Sequence, residues 1–87
     1  MAPFWQLCDA GDLEGVRAAV ARGEDVNAGN DLSVTGLMLA VARGHYFVVE
    51  VLLQQPSLDM NSINGHGTTA VYYACLNNKV ICLRMLL

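Results

Sequence analysis

Thr35-Gly36-Leu37-Met38-Leu39-Ala40 returns, at a spacing of 34, as Thr69-Ala70-Val71-Tyr72-Tyr73-Ala74. The alignment continues beyond these hexapeptides, with Val49, Leu52 and Leu53 falling on Leu83, Leu86 and Leu87. A fainter copy lies upstream at a spacing of 33, where Leu7, Cys8, Gly11, Val16 and Val20 fall on Ala40, Val41, Gly44, Val49 and Leu53. The spacings differ because the link after Leu53 holds one more residue than the link after Val20. Both links close alike, as Asp25-Val26-Asn27 and Asp59-Met60-Asn61. A period of this size marks small supersecondary units that bury their apolar faces only by stacking, and such arrays usually bind rather than catalyse.

Each unit reads as turn, helix, short break, helix, loop. Pro3 suits a first helical turn, where its missing N–H costs nothing. Phe4, Leu7 and Cys8 then recur on one helix face, and Ala10-Gly11-Asp12 breaks that helix. Asp12 is placed to cap a second helix over residues 13–22, with Leu13, Val16, Ala19 and Val20 inward and Gly23 as its left-handed stop. Thr35 is placed to cap a helix over residues 36–43. Gly44 breaks it, and a helix over residues 46–54 follows until Pro56. Asn64-Gly65-His66-Gly67 is a turn cluster with a hairpin signal. Thr69 caps residues 70–76, Asn77-Asn78 replaces the glycine break, and the last helix covers residues 80–87. Short breaks make the two helices of each unit antiparallel neighbours.

With 54% hydrophobic and only 15% charged residues, the 87-residue chain is a folded domain rather than a disordered one. Its net charge is −3, and Arg17, Arg22, Arg43, Lys79 and Arg84 are scattered, so no phosphate-tracking stripe exists and nucleic acid is not an expected partner. Cys8, Cys75 and Cys82 all fall inside apolar helical patterns and read as reduced, buried small hydrophobes, which suits a cytoplasmic or nuclear setting. The opening Met1-Ala2-Pro3-Phe4-Trp5 lacks the basic region of a signal peptide. Glu50, Asn77, Lys79 and Arg84 interrupt the apolar runs, so no membrane partner is expected.

No catalytic, cofactor or metal site emerges. His45, His66 and the cysteines lack Cys-x-x-Cys or His-x₃₋₅-His spacing. A Cys–His nucleophile needs an accessible thiol, whereas all three cysteines sit at expected core positions. Gly65-His66-Gly67-Thr68-Thr69 lacks the lysine and preceding strand of a phosphate loop. Among the aromatics, Phe4, Phe47, Tyr72 and Tyr73 read mainly as core or inter-unit packing, while Trp5 and Tyr46 are candidates for exposed anchors.

The repeat resembles the ankyrin family, whose pattern is Thr-Pro-Leu-His-x-Ala, Gly-His, Val-Val-x-x-Leu-Leu and a loop ending Asp-Val-Asn. Here it stands as Thr35-Gly36-Leu37-Met38-Leu39-Ala40, Gly44-His45, Val48-Val49-Glu50-Val51-Leu52-Leu53 and Asp25-Val26-Asn27. The resemblance covers residues 3–87 as about two and three-quarter units: about 2–29, about 30–63, and a truncated third at 64–87. It implies an all-α ankyrin-repeat solenoid of stacked helix-turn-helix units joined by β-hairpin-like loops. His45 then belongs at the start of an outer helix. Gly36 and Ala70 replace the family's proline, and Trp5, Met38 and Tyr72 its histidine, so the loop ties are expected to be weaker or replaced and the array only modestly stable.

The resemblance also implies a protein partner held by hairpin tips and the concave face of the inner helices. Carried onto this chain, the tips are Asp31, Leu32 and Val34, then Gly65, His66 and Thr68. The groove positions are Asp9 and Ala10, Ala42 and Arg43, and Leu76 and Asn77. Leu32 and Val34, apolar in an expected exposed turn, are the strongest hint of an interface. Met85-Leu86-Leu87 has no polar cap beyond it, so either a longer array or self-association into a homo-oligomer is expected to cover that end. Leu53, Asp59, Met60 and Asn61 match the spacing of ankyrin loops that undergo asparagine hydroxylation, making Asn61 a candidate modification site as well as a structural loop residue.

Overall fold

The computed structural model describes residues 2–87. Three helix pairs account for their regular structure: α1 (Phe4–Ala10) with α2 (Leu13–Ala21), α3 (Gly36–Arg43) with α4 (Tyr46–Leu53), and α5 (Ala70–Leu76) with α6 (Val80–Leu86). Helices α1, α3 and α5 pack side by side as an inner layer, and α2, α4 and α6 form the outer layer. The described residues contain no strand, only an isolated antiparallel bridge between Gly29 and Thr35 that closes the loop before α3.

Helices α2, α3 and α5 begin where side-chain oxygens take orphan N–H groups. Asp12 accepts from Gly15 N–H at 3.0 Å, Thr35 from Met38 N–H at 3.3 Å and Thr69 from Tyr72 N–H at 3.3 Å. Inner helices end in a left-handed residue. Gly44 (φ 75°) fills this role after α3, and Asn78 (φ 54°) fills it at the equivalent place in the next unit. Asparagine tolerates that region better than most side chains, which is why the break survives without glycine.

The core is the inward stripe repeated between layers. Val16, Val41, Val48, Val49 and Leu52 are at most 1% exposed and Met38 and Cys8 equally shielded. Burying each aliphatic side chain contributes on the order of 1.5–3 kcal/mol. Packing between inner helices is tight at one point: a Cβ placed on Gly36 would stand 2.6 Å from Cys8 Sγ. Glycine thus stands where a side chain would run into Cys8 and Phe4 of α1.

Four expectations need correction. Val34 is buried at 8% rather than exposed, because its N–H and carbonyl are both tied to Asn30 and the returning arm packs its side chain into the core. Cys75 is exposed rather than buried, whereas its counterpart Val41 in the preceding unit is fully covered. Phe47 and Tyr72 are 60% and 50% exposed, outside the core. At the C-terminal end, Leu86 is buried and Met85 half-buried against the core, leaving Leu87 alone of the three exposed.

Candidate partner-binding surface

Two asparagines shape the loop tips. Asn30 Oδ1 accepts from Leu32 N–H at 2.9 Å and Val34 N–H at 3.1 Å. Asn64 Oδ1 accepts from His66 N–H at 2.8 Å and Thr68 N–H at 3.1 Å. The backbone closes each tip in the same way, with Asn30 N–H donating to the Val34 carbonyl and Asn64 N–H to the Thr68 carbonyl, both at 3.0 Å. Ser33 and Gly67, equivalent in the two units, take the left-handed turn at φ 62° and 76°. Asn64 is 4% exposed and additionally donates from Nδ2 to Tyr73 Oη at 2.7 Å.

The tips are joined to each other. Gly65 N–H donates to the Leu32 carbonyl at 2.7 Å, so the second tip hangs directly from the first. Lower in the loops, Asn27 Nδ2 donates to the Ser57 carbonyl at 2.8 Å and its Oδ1 accepts from Asp59 N–H at 2.7 Å. Asn61 is the counterpart of Asn27 in the following unit; its N–H meets Asp59 Oδ1 at 2.9 Å, and its side chain is exposed.

This frame leaves particular side chains outward. Leu32 is 58% exposed, and Asp31, Gly65 and His66 are exposed while Thr68 is half-buried. Trp5, Asn30, Asp31 and Leu32 line one open cleft of about 380 Å³ between the first tip and α1. On the inner-helix face, Arg43 Nε donates to Asp9 Oδ1 at 2.9 Å, so these two expected groove residues meet across units. The Arg43 side chain remains 62% exposed, and such a pair contributes only about 0–1 kcal/mol. Ala10 and Leu76 are exposed, Ala42 is half-buried, and exposed Asn77 turns its amide onto the Tyr73 carbonyl at 2.9 Å.

Sequence reasoning missed the cleft partnership of Trp5 with Asn30, and it missed a second exposed cluster. Tyr46, Phe47, Val80 and Ile81 crowd the starts of α4 and α6. Tyr46, Val80 and Ile81, with Arg43 and Lys79, line a cleft of about 370 Å³ there, and the Tyr46 and Phe47 ring centroids lie 4.5 Å apart. The signal was available, because Tyr46-Phe47 and Val80-Ile81 occupy equivalent places in the repeat. His45, at the start of α4, spends its Nε2 on the Asp9 carbonyl at 3.0 Å and lays its ring over Gly11.

The family's missing histidine has one partial substitute. Thr35 N–H donates to Met38 Sδ at 3.5 Å, a weak bond to a thioether in the position of the usual tie. Tyr72, its counterpart, points outward instead. Burial pushes the Cys8 thiol up from its usual 9.0 to about 12. Burial also raises Cys82, while the nearby Lys79 ammonium works against that rise. Among the described residues no three His, Cys, Asp or Glu side chains gather into a metal cluster, and no helix is long and apolar enough to cross a membrane.

A model of ankyrin repeats matches residues 4–87 in three copies. The chain belongs to the ankyrin-repeat family. Its relatives include human (Homo sapiens) transient receptor potential cation channel subfamily A member 1, 32% identical over 85 residues, which are 98% of this chain and 8% of the channel. The probable E3 ubiquitin-protein ligase XBOS33 of Oryza sativa subsp. japonica is 35% identical over 86 residues, 99% of this chain and 16% of the ligase. The E3 ubiquitin-protein ligase XBAT33 of Arabidopsis thaliana is 34% identical over 86 residues, 99% of this chain and 17% of that ligase. The ankyrin chain thus spans less than a fifth of the length of these curated relatives. Ankyrin repeats are in general protein-interaction modules, and the fold itself names no partner.

Proposed function

We propose that this ankyrin domain is a non-catalytic recognition module that holds a protein partner on its hairpin tips and the concave inner-helix face. The observation that carries the reading is Leu32. It is a large apolar side chain, 58% exposed, held outward on a tip whose backbone groups are tied to Asn30 and Gly65. An ordered apolar side chain beside an aromatic one, here Trp5, loses little entropy on contact and suits a central anchor. Asp31 and the Asp9–Arg43 pair on the rim would set orientation more than affinity. Each of the three units, about 2–29, 30–63 and 64–87, contributes to this surface, which is near the low end of stable interfaces and suits a transient partner. By analogy with its relatives, it would serve as the recognition region of a larger protein. The free thiols of Cys8, Cys75 and Cys82 favour a cytoplasmic or nuclear setting, and the acidic balance disfavours nucleic acid.

The test is affinity capture with cross-link mapping, comparing wild type, Leu32→Ser/His66→Ala and Phe47→Ser/Ile81→Ser. Val34 is left intact because it is buried. A partner cross-linked near the tips and lost only in the first variant is the expected result. Loss only in the second variant would move the site to the outer helices. A wild-type chain that captures only itself would replace the reading by self-association.

A further inference from the structure

Two clefts occupy equivalent places on the outer layer, at successive junctions between units. The first lies between the starts of α2 and α4, measures about 200 Å³ and is lined by Leu13, His45 and Phe47. The second, of about 370 Å³, lies between the starts of α4 and α6 and sets Tyr46, Lys79 and Ile81 at the corresponding positions. Their floors match as well, since Val48 in one and Cys82 in the other are both buried. What differs is the side chain that crosses the preceding unit's glycine. His45 lays its ring on Gly11, where an added Cβ would stand 2.8 Å from it, and spends Nε2 on the Asp9 carbonyl. Lys79 lies along Gly44, whose added Cβ would stand 3.3 Å from Cδ and 3.4 Å from Nζ.

Charge supplies a second, independent observation. Lys79 is half-buried with its stem against Gly44, and among the described residues no carboxylate pairs with its ammonium. Arg43, the other cation of the cleft, is already engaged with Asp9. No Asp or Glu lines the cleft, although the chain as a whole carries a net charge of −3. Around the ammonium stand Tyr46, Val80 and Ile81, all exposed. A cation on a partly desolvated apolar rim favours a carboxylate over a neutral or basic group. The apolar surface beside it favours a large apolar side chain in the adjoining position.

We propose that the cleft between the starts of α4 and α6 is a peptide-binding site for a partner segment in which an aspartate or glutamate adjoins a large apolar residue. The carboxylate pairs with Lys79 Nζ, and the adjoining side chain lies over Tyr46, Val80 and Ile81. The equivalent cleft at His45 does not serve in this way, because the imidazole Nε2 is already bonded and no lysine or arginine lines it. The site lies on the outer helices, so it stands apart from the partner-binding reading, which concerns the tips and the inner face. The chain itself carries an exposed segment of the same chemistry, Asp31-Leu32, which makes a second copy the competing occupant.

The test selects binders to the full 87-residue chain from a displayed library of random short peptides. Wild type enriches peptides with Asp or Glu next to Leu, Ile, Phe or Trp. A synthetic peptide of that kind binds Lys79→Gln on the order of tenfold more weakly than wild type, and its analogue with glutamine for the acid loses a similar factor. Lys79→Arg retains the binding, which keeps a folding defect from passing for loss of the charge. Adding the peptide shifts the methyl NMR signals of Val80 and Ile81 and leaves those of Leu32 in place. The proposal is overturned if no such peptide is enriched, if Lys79→Gln binds it as tightly as wild type, or if it moves the Leu32 methyls rather than those of Ile81. It is also overturned if the Ile81 methyls shift with protein concentration alone and Asp31→Asn abolishes that shift, which would seat a second copy in the cleft.

Discussion

Replacing Asn64 by alanine removes three hydrogen bonds at once: Oδ1 from His66 N–H and Thr68 N–H, and Nδ2 to Tyr73 Oη. Asn64 is 4% exposed, so water reaches the abandoned groups poorly. At about 1 ± 0.5 kcal/mol net per bond, the loss is about 2–3 kcal/mol. Asn30→Ala is the internal control. It removes two bonds from a half-buried side chain whose groups water can partly satisfy, so its cost is about 1 kcal/mol. For a domain of this size each kcal/mol lowers the melting temperature by about 4–8 °C. Asn64→Ala therefore melts roughly 10–20 °C below wild type, and Asn30→Ala less than half as far below. Tyr73→Phe costs about 1 kcal/mol in the wild-type background and almost nothing beside Asn64→Ala, because the shared bond is already gone. The assay is thermal and urea unfolding followed by circular dichroism and by the fluorescence of the single tryptophan, Trp5. Equal losses for Asn30→Ala and Asn64→Ala would refute the claim that burial of the amide sets the cost. A Tyr73→Phe effect undiminished in the double variant would refute the bond itself.

Two further outcomes follow from the packing of α1 against α3. Gly36→Ala gains helix propensity of up to about 1 kcal/mol, but its Cβ would meet Cys8 Sγ at 2.6 Å; the expected result is net destabilisation by about 1–2 kcal/mol, reversed in Gly36→Ala/Cys8→Ala, and measured by urea unfolding. The Cys8 thiol binds its proton more tightly folded than unfolded, so its contribution is complete below pH 9.0 and is lost as pH rises toward about 12. Stability measured against pH should fall through that window in wild type and fall less in Cys8→Ala; identical slopes would show that burial of this thiol is not the cause.

The helix pairs were legible because their signals are local. Asp12, Thr35 and Thr69 cap their own helices within three residues, and Gly11 and Gly44 end theirs. Exposure was not legible in the same way. Periodicity identifies the face of α5 that carries Cys75, but only a neighbouring unit decides whether that face is covered. Val34 failed for a related reason. A valine between Ser33 and Thr35 reads as part of a turn, yet Asn30 Oδ1 captures its N–H and turns it into the returning arm, where the side chain packs inward. Asn64 was visible only as part of a turn cluster, and Asn30 is its counterpart one unit earlier. Their equivalent places in the repeat were the sign that both loops use one frame.

That frame separates what holds the tips from what the tips can present. Leu32 and His66 occupy the same position in it, one aliphatic and one imidazole, and both give only a backbone N–H to the asparagine below. Their side chains are exposed, so exchanging them should change stability by no more than about 0.5 kcal/mol. The asparagines beneath have no such freedom, since each satisfies two N–H groups that no other described side chain reaches. Chemistry at position 32 or 66 can therefore be set by a partner without cost to the fold, whereas chemistry at position 30 or 64 cannot. A surface built this way tolerates changes of specificity in the residues that protrude furthest, and the stacked helices behind it keep those residues in a fixed place.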